Sequence, residues 1–350
     1  MMIVNENSTV LDAIDEINKK QGEGIVVLDG NRNILGTLTD GDVRRFILSG
    51  GSIKSNIKLA LNKNPVIYNQ SASVDELNEA LSRFDIKLIP LVDSSGKYVS
   101  CFNSREYFEK LQEKYDNVFS TAVIMAGGKG KRLQPLTNDT PKPMIEIDGV
   151  PLIERQIMKL KEIGVKKVYI SVKYLKEKII NHFKDGKKFG VGISYLQEDS
   201  ELGTAGALSL ITDLDSEKPI LLLNGDILTN VDFVHLFEFH HKNNAVITTC
   251  AVSYQVNIPY GVIHNEGIKL EFIEEKPSQS FLCNAGIYAL STQAIKKIPY
   301  NQFYNMTDLI DACQNDNDHV CVFPIHEYWS DIGTVEDLSS ARRDFIYKDL

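Results

Sequence analysis

A short apolar run, Ala122 to Ala126, stops in a turn carrying Gly127, Gly128 and Gly130, and this junction limits the fold more than any other part of the chain. The run predicts a buried strand. Glycines let the main chain approach a ligand closely and turn its N–H groups inward, which suits a polyphosphate. Arg132 and Lys142, the latter flanked by Pro141 and Pro143, add the positive charge that bare N–H groups lack. Neither G-x-x-x-x-G-K-[ST] nor G-x-G-x-x-G is present, so the junction is neither a P-loop nor a dinucleotide fingerprint.

Beyond the junction, apolar stretches at 167–173 and 220–223 read as strands and 153–163 and 176–183 as helices. Alternation of this kind predicts an α/β fold, a mainly parallel mixed sheet covered by helices on both faces. The catalytic domain is expected over 120–350.

The first 115 residues contain a repeat at an offset of 64 residues, with Thr9 answering to Ser73 and Asp29 to Asp93. Each copy, about 1–56 and 57–115, reads as a β-α-β-β-α-like unit with a Ser/Thr-capped helix and a turn containing Gly30 or Gly96. One copy alone buries little surface, so the two are expected to pack together. A charged, helix-compatible stretch at 109–117 joins them to the catalytic domain.

Composition matters chiefly through charge. A formal net charge of −9 argues against nonspecific nucleic-acid binding, so an anionic substrate must meet a local basic cluster. The five scattered cysteines fit reduced structural thiols, and no cysteine–histidine group suggests zinc. His240 and His241 fall in a helical pattern and are expected at the surface. No basic-then-apolar leader and no membrane-length apolar run occur, which points to a cytoplasmic protein without a membrane partner.

The full string from Gly127 to Thr137, G-G-x-G-x-R-L-x-P-x-T, followed by P-K-P, resembles the signature of the sugar-1-phosphate nucleotidyltransferases. Four later strings fall in that family's order. Gln197 precedes Leu202-Gly203-Thr204-Ala205-Gly206, similar to the L-G-T-A-G loop of guanylyltransferases and some uridylyltransferases. The resemblance implies a nucleotide site over Ala126, Gly127, Gly128, Gly130, Gln197, Gly203 and Thr204; a plain turn with Thr204 capping the next helix is the simpler reading. Asp226 ends an apolar strand and Asp331 follows Trp329-Ser330; the family uses two such aspartates to hold Mg²⁺. Glu275, Lys276, Asn284 and Gly286 lie in E-K-P and N-x-G segments that line the sugar pocket in relatives.

The implied reaction joins a nucleoside triphosphate to a sugar-1-phosphate and releases pyrophosphate. Arg132 is expected on the pyrophosphate and Lys142 on the attacking sugar phosphate. GTP is favoured on the L-G-T-A-G string. Glucosamine-1-phosphate is the first expectation for the sugar because CBS-fused members handle it. Mannose-1-phosphate comes second, and a uridylyl- or cytidylyltransferase third.

The N-terminal repeat resembles a tandem pair of CBS domains. Gly36-Thr37-Leu38-Thr39-Asp40-Gly41-Asp42 matches that family's G-x-x-[ST]-x-x-D, which implies an adenine-nucleotide (AMP or ATP) site at Thr39 and Asp42. The second copy departs, with Ser100, Asn103 and Glu106 at the equivalent positions. Such pairs often self-associate, so a homo-oligomer is expected. The rival class is a nucleotide-sensing regulator with an inactive transferase half, which the intact Gly128, Gly130, Arg132, Lys142, Asp226 and Asp331 oppose.

Overall fold

The computed structural model describes residues 3–19, 24–73, 76–77, 80–81, 83, 86–102, 118–214 and 218–348. The chain divides into two compact units, Met1–Lys114 with Ser253–Leu282, and Tyr115–Val252 with Cys283–Leu350. The stretch at 109–117, Asn103 and Glu106 lie outside the described residues.

In the first unit, strands β1 (Ile3–Asn5), β2 (Ile25–Leu28) and β3 (Ile34–Leu38) form one small sheet, and helices α1 (Val10–Lys19) and α2 (Asp40–Leu48) pack against it. Strands β4 (Tyr68–Asn69), β5 (Ile89–Val92) and β6 (Tyr98–Phe102) form a second sheet with the same order and directions. The repeat extends to atomic detail. Thr9 and Asp12 form the same reciprocal cap as Ser73 and Glu76, and each hydroxyl and backbone N–H bonds the following acid. Asp29 accepts from the N–H groups of Asn31 and Asn33, as Asp93 does from those of Ser95 and Lys97. Register shifts fall at Val27/Leu28 and at Leu91/Val92, again equivalent positions. The copies meet where the repeat aligns Asn33 with Lys97, whose ammonium donates to Asn33 Oδ1 at 2.6 Å. Val26, Leu28, Leu88 and Tyr98 close a shared apolar core beside that contact.

The same unit holds Ser253–Leu282, whose hairpin pairs β15 (Val262–Glu266) with β16 (Lys269–Glu274). Gln255 Nε2 lies 3.2 Å from Ser52 Oγ.

The second unit is built on a seven-stranded sheet. Strands β7 (Thr121–Met125), β10 (Lys167–Val172), β11 (Gly192–Gln197) and β12 (Ile220–Asn224) run parallel. Strand β17 (Ser278–Leu290) is antiparallel to β12, and β14 (Ile247–Asn257) and β18 (Val320–Ile325) follow, in the order β11-β10-β7-β12-β17-β14-β18. Alternate residues point to opposite faces. Ala122, Ile124, Val168, Ile170, Leu221 and Leu223 meet helices α3 (Leu152–Glu162), α4 (Lys176–Phe183) and α5 (Phe233–Lys242). Val123, Tyr169, Ile220, Leu222 and Leu290 meet the turn at Gly206–Leu210, the short α6 (Thr292–Ile295) and α7 (Met306–Asn315). The expected α/β architecture is therefore present, with elements within a residue or two of the sequence reading. A separate small core under the loops joins Leu133, Ile145, Ile147, Leu228, Ile332 and Leu338. It ties ladder β8 (Glu146–Ile147)–β9 (Val150–Pro151) and ladder β13 (Ile227–Thr229)–β19 (Trp329–Asp331) to α8 (Val335–Lys348).

Among the described residues no helix is long and apolar enough to cross a membrane. None of the five cysteines forms a disulfide among the described residues. The surface reading holds for His241 but not for His240, which is 4% exposed and bonds Thr248 Oγ1 at 2.9 Å. Burial, with a smaller contribution from His241, pushes the His240 imidazole down to about 4. In the unfolded chain it protonates near pH 6.5, so the unfolded state takes up a proton first as pH falls. Stability from this residue is complete above pH 6.5 and falls between there and pH 4, by about 3 kcal/mol. Urea titrations across that range are expected to show the loss, and His240→Gln to flatten it; an equal slope in both proteins would remove the assignment.

Candidate active site

The chain runs from β7 through β10 to β11 on one side of the sheet, then returns to place β12 on the other side of β7. This reversal creates a crevice at the carboxyl ends of β7 and β12, where ligands of open α/β sheets bind. The registers align those ends, with Met125 opposite both Asn224 and Ser171, and Val172 opposite Gln197. The glycine turn leaves β7 there and Asp226 follows β12.

Ala126 is buried, and its N–H bonds Ser171 O at 3.0 Å. Gly127 faces Glu198, whose Oε1 would lie 2.8 Å from a Cβ at that position, whereas Gly128 opens onto free space. Gly130 needs its missing side chain. Its φ is +60°, and a Cβ would press on Lys142 Cβ at 2.9 Å and Thr137 Cγ2 at 3.0 Å. Thr137 Oγ1 donates to Gly130 O at 2.8 Å, closing the loop so that Lys142 returns under it.

Lys142 reaches across to the two aspartates. Its Nζ is ion-paired to Asp226 Oδ2 and lies 3.7 Å from Asp331 Oδ1. The lysine side chain is 12% exposed, against 44% for Asp331. Backbone pairing sets the acids side by side, with Ile227 opposite Asp331 in the β13–β19 ladder and Ile332 N donating to Asp226 O at 2.9 Å. Burial and then the neighbouring Asp226 hold the Asp331 carboxyl above its usual range, while Lys142 and Arg132 pull the other way. Arg132 is exposed and arches over Gly333, where a Cβ would come 3.2 Å from Nη2. Two crowded oxygen donors beside a phosphate-suited turn match the preference of a hard divalent ion such as Mg²⁺.

The Leu202–Gly206 loop is tied down from far along the chain. Ala205 N and Gly206 N donate to Tyr304 O, and Tyr304 N donates to Leu202 O. Thr204 Oγ1 accepts from Met306 N at 2.8 Å, so it satisfies the first N–H of α7, whose N-cap is Asn305, and does not cap the turn immediately after it. Gly203 has φ +76° and lies against Tyr304 O. Gln197 is exposed and accepts from Lys176 Nζ at 2.9 Å.

On β17, Asn284 is exposed, with Oδ1 accepting from Gly286 N at 2.9 Å and Nδ2 donating to Tyr288 Oη at 2.6 Å. Gly286 has φ +67°, and a Cβ there would meet Asn224 Nδ2 at 2.4 Å. Glu275 and Lys276 belong to the first compact unit, where Glu275 flanks Gly261 and Lys276 has φ +47°.

In the N-terminal repeat Thr39 and Asp42 cap α2 together. Asp42 Oδ2 accepts from Thr39 N at 2.8 Å and from Thr39 Oγ1 at 2.7 Å. Asp42 also lines an open cavity of about 510 Å³ with Arg45, Phe46, Ser49, Leu59, Ala60, Leu61 and Asn62.

Sequence reasoning did not find Gln156 or the part played by Glu198. Glu198 accepts from Ser171 Oγ and from Leu202 N, linking β10 to the Leu202–Gly206 loop. Glu198 stands directly after Gln197, and that position was its only signal.

A fold with this crevice, this glycine turn and this lysine–aspartate cluster defines a nucleotidyl-transferring class. The model of the nucleotidyl transferase family matches residues 121–347, and the chain belongs to that family. A CBS domain model matches residues 1–49. The chain is 34% identical over 225 residues to a mannose-1-phosphate guanyltransferase of Yarrowia lipolytica, covering 62% of each. It is 32% identical over 234 residues to a probable mannose-1-phosphate guanylyltransferase 1 of Oryza sativa, covering 64% of each. The match thus spans just under two thirds of those relatives' own length. Among solved structures, HddC from Yersinia pseudotuberculosis superposes with TM-score 0.51 at 26% identity, covering 65% of this chain and all of that one. The same protein complexed with GMP-PN gives TM-score 0.50.

Proposed function

We propose that this chain transfers a nucleoside monophosphate from GTP to a sugar-1-phosphate, giving a GDP-sugar and pyrophosphate. The convergence of Lys142, Asp226 and Asp331 beside the glycine turn carries the reading. A sugar phosphate is largely ionised at neutral pH, its second pKa being near ~6, so no general base is needed to activate it. The barrier is instead the approach of one anion to another, and positioning with charge neutralisation lowers it. In this reading Lys142 receives the attacking phosphate, Arg132 the departing pyrophosphate, and the N–H groups after Ala126 cradle the triphosphate. Asp226 and Asp331 would hold a magnesium ion, which supplies further neutralising charge to the phosphates.

Guanine is supported by the Leu202 to Gly206 loop, by the relatives named as guanylyltransferases and by the GMP-PN complex of HddC. For the sugar, the named relatives move the weight to mannose-1-phosphate, ahead of the glucosamine-1-phosphate expected from CBS-fused members. The first 115 residues act as a CBS pair, with an adenine nucleotide in the cavity that Asp42 lines. Each carboxylate oxygen can accept more than one hydrogen bond, so capping Thr39 does not exhaust Asp42 for a ribose diol.

Pyrophosphate release with Mg²⁺, crossing GTP, UTP, CTP and dTTP against mannose-, glucosamine- and glucose-1-phosphate, tests the reading. Release is expected to be greatest with GTP and mannose-1-phosphate. A maximum with another nucleotide would overturn the guanine assignment, and no release with any pair, with or without AMP or ATP, would overturn the activity.

A further inference from the structure

We infer that Gln156 is a positioning residue for the proposed metal ligand Asp226, acting through the main chain of the turn that carries it. Gln156 sits on α3 and is 8% exposed. Its Nε2 donates to Asn224 O at 2.9 Å and to Ile227 O at 2.8 Å. Those carbonyls bracket Gly225 and Asp226, so one amide group spans the turn and fixes its width.

Two backbone hydrogen bonds also hold the main chain of the turn. Gly225 N donates to Met125 O, and Asp226 O accepts from Ile332 N, both at 2.9 Å. A Cβ at Gly225 would come 2.7 Å from Met125 O, so no side chain there can share the task. One position further round the same helix face, Lys159 Nζ donates to Thr229 O at 3.0 Å. Gln156 and Lys159 together hold three carbonyls of the segment running from β12 into β13.

The orientation of the amide is informative. Gln156 Oε1 is buried and has no hydrogen-bond partner. Rotating the amide to satisfy it would set an oxygen against two carbonyls and release the turn. The chain tolerates a buried, unpaired acceptor to keep both donor bonds on the segment bearing Asp226. Groups that orient a metal ligand without touching the metal typically change metal affinity or activity by about 10–100-fold when lost.

The inference rests on Asp226 as a metal ligand, and the test separates the two. Mn²⁺ binding is followed through the EPR signal of the free ion, with the full chain and no substrates. Gln156→Met keeps the volume and removes both donors along with the orphan acceptor. It is expected to unfold within a few degrees of the unsubstituted protein yet bind Mn²⁺ about tenfold or more weakly. Its kcat should fall while the KM for sugar phosphate stays put. Should that variant not accumulate as folded protein, Gln156→Asn keeps the amide one methylene short of the carbonyls and carries the same expectation. A folded variant of either kind with full Mn²⁺ affinity overturns the inference. Unaltered Mn²⁺ binding in Asp226→Asn would instead remove the ligand role of Asp226, and this inference with it.

Discussion

Lys142→Ala is expected to lose about a hundred- to thousandfold in turnover while remaining folded, the typical loss for one group aimed at developing phosphate charge. The side chain, itself mostly buried, ends beside two carboxylates that are partly open to solvent, so water screens its charge only in part. Folding should survive because alanine keeps the Cβ that sits against Gly130, and proline-flanked backbone fixes the position. Lys142→Arg is not expected to rescue activity. A planar guanidinium is longer and cannot sit as a point charge between Asp226 and Asp331. Steady-state kinetics with circular dichroism decide the matter: a folded Lys142→Ala protein keeping more than about a tenth of the rate would remove the lysine from the chemistry.

Asp226→Asn should be as damaging to turnover, about a hundredfold or more, and it carries a second, spectroscopic expectation. The Asp331 carboxyl is held above its usual range by burial and then by the charge of Asp226. Removing that charge leaves burial but deletes the repulsion, so Asp331 should ionise at lower pH than before. Carboxyl carbon NMR on the metal-free protein would follow it. An Asp331 titration that stays in place would mean that the two acids do not sense one another, and that a shared ion is the wrong description.

Much of this was legible because it is local. The strand ending at Met125, the glycine turn and the strand ending at Asn224 are runs of adjacent residues with one physical meaning. The N-terminal repeat was visible because two copies must solve the same packing problem, down to the Asp29 and Asp93 turns. What stayed hidden depends on partners distant in sequence. Gln156 reads as one more polar residue on an amphipathic helix until Asn224 and Ile227 arrive about seventy residues later. Thr204 has the composition of a local cap and spends its hydroxyl on Met306. Of the adjacent His240 and His241, pattern alone cannot choose which one faces Thr248.

The segment Ser253–Leu282 leaves the seven-stranded sheet from β14 and returns through its neighbour β17. Between the end of β14 and the start of β17, the connection at 258–277 can change length or sequence without altering the residues of either strand. It carries Glu275 and Lys276, while Lys142, Asp226 and Asp331 remain in the unit it departs from. Asn284 and Gly286, the other two residues proposed for the sugar, follow on β17 beyond that segment, so exchanging the segment would alter only part of the proposed acceptor site.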